Sequence, residues 1–140
     1  MPLINNASTE WSGWLIDNLG SRINDCQQAI VNTINARNIP QSTVSTGVVN
    51  MWWRKDSRYI DATSTLDGTI RTTIHIQEYG TSLWIGRAIE SYASSNYYKR
   101  MAASAFVETV DRCIRDVILT MVESSAIRDV NDIGRSPIIK

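Results

Sequence analysis

The chain has 140 residues, room for one domain at the commonest size of roughly 100–150 residues. Its composition, 43% apolar and 20% charged, suits a packed core and argues against disorder. The 14 Lys+Arg balance 14 Asp+Glu, so there is no overall positive surplus to draw in phosphate polymers or anionic membranes; a local basic patch is still allowed.

In the first segment, Trp11, Leu15, Leu19, Ile23, Cys26, Ile30 and Ile34 recur every three or four positions. That spacing predicts a long helix from about Trp11 to Arg37, with Ser8 or Thr9 as cap and Pro40 beyond its end. At 1.5 Å per residue it would run about 40 Å. From about 42 to 90 the composition turns to Thr, Val, Ile and aromatics in alternation, the pattern of strands. Four are expected, near 43–54, 58–66, 69–78 and 82–88. Asp67-Gly68 predicts a two-residue hairpin turn, because such turns favour residues tolerant of positive φ. Tyr79-Gly80-Thr81 and Lys55-Asp56-Ser57 read as further turns, giving an antiparallel meander.

A second long helix is expected from about 95 to 124. Its apolar stripe is Met101, Ala105 or Phe106, Val110, Cys113 or Ile114, Val117 and Met121, and its outer face pairs Glu108–Arg112, Asp111–Arg115 and Arg112–Asp116. The tail, 127–140, is broken by Gly134 and Pro137 and is expected to dock on the body or be ordered by a partner. The fold class is therefore α+β in one domain, residues 1–140: two long helices on one face of a three- to four-stranded antiparallel meander.

The Asp67-Gly68 turn sets a register, with Leu66 opposite Thr69, Ser64 opposite Arg71 and Ile60 opposite His75. It assigns Tyr59, Thr63, Ile70, Ile74 and Ile76 to the core face together with Asp61, whose carboxylate would be costly there without a partner. The other face collects Arg58, Ser64, Arg71, Thr73, His75 and Gln77, joined by Leu83, Ile85 and Arg87 if the next turn keeps phase. Arg58, Arg71, His75 and Arg87 are thus the candidate binding site for a phosphate or carboxylate, which the guanidinium fork grips in two places. Leu83 and Ile85 on that face, and the adjacent Trp52 and Trp53, of which one must leave the core, are candidate interface residues.

Trp52-Trp53-Arg54-Lys55 with Arg58-Tyr59 also mixes rings and cations as single-stranded nucleic-acid binders do. No HExxH, GxGxxG, Walker A or GxSxG motif is present. Cys26 and Cys113 lie far apart on apolar stripes, as buried free thiols rather than metal ligands. No apolar run approaches the roughly 20 residues of a membrane span, and the N-terminus lacks the pattern of a signal peptide. The reading is a cytoplasmic, non-enzymatic, homo-oligomeric protein, without cofactor or metal, that engages a partner protein or sequesters a ligand. Oligomerisation is expected because two 40 Å helices would outrun the strands and leave apolar stripe uncovered. A phosphorylated small ligand or nucleotide on the basic face is the alternative, and single-stranded nucleic acid at Trp52–Arg58 the lesser one.

Overall fold

A computed structural model describes residues 7–51, 54–65, 70–92, 97–125 and 130–135. The first described element is strand β1 (Ala7–Ile16), which passes through a 3-10 turn (Gly20–Arg22) into helix α1 (Ile23–Ala36). Four strands follow: β2 (Ser42–Met51), β3 (Arg54–Ser64), β4 (Ile70–Tyr79) and β5 (Ser82–Tyr92). Helix α2 (Tyr97–Ser125) and a short strand β6 (Val130–Arg135) are the last described elements. The sheet order is β2-β3-β4-β5-β1-β6, antiparallel throughout. The class is α+β, as expected, and β2 to β5 form the meander.

The expected helix over 11–37 is corrected to a strand, a turn and a helix of 14 residues. A spacing of four cannot tell the two periods apart, because it is close to one helical turn and also two full strand repeats. Trp11 and Leu15 share a face in a strand as well as in a helix. What separates the segments is Asn18, which adopts a positive φ of 63° and ends β1. Only Ile23, Cys26, Ile30 and Ile34 make a buried helical stripe. The helix closes at Asn38, whose φ of 51° is the left-handed conformation common just past a helix end.

The hairpin register is also corrected. Ser64 pairs with Ile70, and the pairing continues through Ile60↔Ile74 to Ser57↔Gln77. The β3–β4 connection therefore spans five residues instead of two, with Leu66 to Thr69 outside the described residues. A shift of one position moves every side chain of one strand to the other face relative to its partner. The two-residue turn lies instead between β4 and β5, where Tyr79 pairs with Ser82 and Gly80 has a φ of 64°.

Both helices pack on one face of the sheet. Ile60, Ala62, Ile74, Ile76, Leu83, Ile85 and Ile89 meet Cys26, Ile30, Ile34, Val110, Ile114 and Ile118 in one buried cluster. Trp14 and Ile16 of β1 join it. Within α2, Phe106, Val110, Cys113, Ile114, Val117 and Met121 are buried, whereas Met101 and Ala105 of the expected stripe are exposed. Gln27 ties α1 to the sheet by donating hydrogen bonds to the carbonyls of Gly47 and Tyr59 at 3.2 and 3.1 Å. Within the tail expected over 127–140, Val130–Arg135 pairs with β1, while 127–129 and 136–140 lie outside the described residues. Among the described residues no helix is long and apolar enough to cross a membrane.

Cys26 and Cys113 are free and buried. Burial pushes the Cys26 thiol up to about 12. A folded-state value above the ordinary one favours the protonated native state, so this contribution is complete below pH 9 and disappears between about pH 9 and 12. We expect a thiol-reactive dye to leave Cys26 unmodified at pH 8 until urea unfolds the chain. In Cys26→Ala the alkaline loss of stability should be smaller; equal declines in both proteins would contradict the assignment.

Candidate functional site on the helix-free face

The face without helices is built from the alternate residues of five strands. In cross-strand order, one row runs Gly13, Gly86, His75, Tyr59 and Gly47. On one side lies the row Trp11, Ala88, Thr73, Asp61 and Ser45, and on the other Leu15, Trp84, Gln77 and Ser57. Two rings cover the glycines. The six-membered ring of Trp84 occupies the space where a Cβ on Gly13 would stand, and its indole nitrogen lies 3.0 Å from the corresponding point on Gly86. Tyr59 covers Gly47 in the same way. A Cβ at Gly13 or Gly47 would push the ring above it off the sheet, whereas one at Gly86 would only crowd the Trp84 ring.

The result is an aromatic surface laid flat on the backbone. Trp84 and Tyr59 are half-buried, Trp11 is 36% exposed, and His75, between the two ring-covered ends of its row, is exposed. The β1 and β5 side is apolar, with Trp11, Leu15, Trp84 and Ala88. The β3 and β4 side is polar, with Tyr59, Asp61, Thr73 and His75. Asp61 lies here, away from the core, and accepts a hydrogen bond from Thr73 Oγ1 at 2.8 Å. The correct register thus removes the buried carboxylate that the two-residue turn implied.

The four cations expected on one face are divided between two. Arg71 and His75 are on the helix-free face, and Glu90 stands opposite Arg71 in the β4–β5 pairing. Arg58 is on the helix side and donates to Asn24 Oδ1 of α1 at 2.8 Å. Arg87 is also on the helix side and only 3% exposed. Its Nε and Nη2 each donate to the Asp111 carboxylate at 2.7 Å, and Nη2 also reaches Ser12 Oγ at 3.2 Å. The basic cluster is therefore not assembled. Leu83 and Ile85, expected at an interface, are wholly buried beneath the helices. Trp52 and Trp53, between β2 and β3, lie outside the described residues.

The helix pairs change accordingly. Glu108 and Arg112 do form an exposed ion pair at 3.2 Å, but Asp111 serves Arg87, and Asp116 pairs with Arg37 at 2.8 Å. Sequence reasoning missed Trp11 and Trp84 as members of one surface. The usable signal was glycine inside strands, Gly13 in Trp11-Ser12-Gly13-Trp14 and Gly86 two places after Trp84, which marks close approach of another group. No protein-family model matches the chain, and no curated protein matches it in sequence.

Proposed function

We propose that this chain is a non-enzymatic binding protein, acting as an assembly of identical copies, that engages a partner protein through the helix-free face of its sheet. The observation that carries the reading is the Trp84 ring laid over Gly13 and Gly86, with Trp11 and Leu15 beside it. Large rings held flat lose little conformational freedom on binding, and aromatic residues dominate the centres of protein interfaces. The polar half, with Asp61, Thr73 and His75, would supply the hydrogen bonds of a rim. The division of Arg58 and Arg87 from Arg71 and His75 weakens the reading as a binder of a phosphorylated small ligand.

A photo-crosslinking benzoylphenylalanine at position 11 should capture protein in cells, whereas the same group at exposed Leu119 on α2 should not. Gly13→Ala should reduce the yield at position 11 severalfold, because the new Cβ displaces the Trp84 ring. Equal yields at 11 and 119, or no effect of Gly13→Ala, would count against this face. A thermal-shift screen of nucleotides supplies the other arm: stabilisation that disappears in Arg71→Ala would favour the anion reading instead.

A further inference from the structure

The two margins of the sheet differ in a way that points to self-association. An exposed edge strand offers unpaired N–H and C=O groups to any passing strand, and soluble proteins guard such edges with charges, prolines, bulges or very short strands. The β6 margin has three of these devices. It has six residues, carries Asp132 and Arg135 in sequence, and its pairing shifts register between Gly13 and Trp14. The β2 margin has almost none. It is ten residues long, Ser-Thr-Val-Ser-Thr-Gly-Val-Val-Asn-Met, with no charge and no proline. Its pairing with β3 is regular from Ser42 to Val49, shifting only at the far end. Among the described residues nothing lies beyond it.

We infer that β2 is the self-pairing edge of this protein, joining two copies antiparallel so that their sheets continue across a two-fold axis. An edge without charge is compatible with its own copy, which is what two-fold pairing requires. In a two-fold interface each patch meets itself, so a single charged residue would sit near its own like charge, while a neutral strand meets no such penalty. The zero net charge of the chain adds no general repulsion between copies. The residue types agree with a paired strand: Thr43, Val44, Thr46, Val48 and Val49 are β-branched and favour pleated pairing. Val48, on the helix side of the strand, is 49% exposed, and half-buried Val44 shares its face. Antiparallel joining at β2 would bring these valines of both copies together. The axis runs perpendicular to the sheet, so the two helix layers stay on one side and the two aromatic faces merge on the other.

The inference rests on the proposed assembly of copies, and the experiment separates the two. Light scattering on the column eluate of the full chain, across a concentration series, is expected to give twice 15.7 kDa. Thr46→Lys and Thr46→Glu, at an exposed position, should each run at the single-chain mass with an unchanged circular-dichroism spectrum, and mixing the two should restore the double mass. Amide exchange in β2 should slow at least tenfold on going from the Thr46→Lys chain to the wild type. A wild-type mass of one chain up to 100 micromolar, a concentration chosen to be on the order of weak-dimer affinities, would overturn both the assembly and the edge. A double mass that survives Thr46→Lys but falls to one chain in Trp11→Lys would overturn the edge alone and move the contact to the aromatic face.

Discussion

Arg87→Met lowers the free energy of unfolding by about 3–5 kcal/mol, because it leaves the Asp111 carboxylate buried without its partner. Both side chains are almost wholly enclosed, at 3% and 8% exposure, and the contact is two-pronged. Asp111→Leu alone should cost a comparable amount, since the guanidinium then loses both carboxylate bonds and keeps only Ser12. The double replacement should recover most of the loss: taking both charges out removes their desolvation penalty along with their attraction. Arg87 Nη1 already has no hydrogen-bond partner among the described residues, which further favours the apolar pair. Urea denaturation of the four proteins closes the cycle. The control is Arg37→Met, whose pair with Asp116 is exposed and should be worth under about 1 kcal/mol. Single-variant losses as small as that control would mean that Arg87 is not enclosed as described.

Ile85→Ala is the second large effect, about 2–5 kcal/mol, from lost burial and the cavity left behind. Ile85 is wholly buried among the helix-facing residues of β4, β5 and β1. The same change separates its two possible roles. For a core residue the melting temperature falls by the same amount at every protein concentration. An interface residue would instead weaken association and make the loss vary with concentration. A wild-type melting temperature in Ile85→Ala would return this position to the surface.

Much of the architecture was legible in residue order, and the errors have local causes. The meander from β2 to β5, the position of α2 and the buried thiols follow from alternation and helical spacing that admit one interpretation. Residues 11 to 15 admit two, because a four-residue interval satisfies both periods, and glycine at 13 was the only local dissent. The site suffered more than the fold. A five-residue β3–β4 connection in place of a two-residue turn sent Arg58 with Ile60 to the helix side, and a two-residue β4–β5 turn, Tyr79 opposite Ser82, sent Arg87 there with Ile85. Ile70, Ile74 and Ile76 were assigned to the core side correctly. The β3 residues set against them were the wrong half, and the misplaced Asp61 was the visible symptom. Alternation puts Arg87 on one face with Leu83, Ile85 and Ile89, but no sequence rule reports a carboxylate waiting on another element to receive it there.

The place of β1 in the sheet carries a consequence for how the molecule is made. It precedes β2 to β5 in sequence, yet its neighbours are β5 and β6, pairing Ile16 with Leu83 and with Val130. The hairpins from β2 to β5 close over short stretches of chain, whereas β1 must wait for β5 and β6, which follow it only after the whole of β2 to β4. Long-range closure is entropically costly and slow to search. The meander is therefore expected to form first, with β1 inserted after β5 is in place. Until then Trp11 and Trp14 have no sheet to lie on, and the aromatic face exists only once synthesis has passed β5.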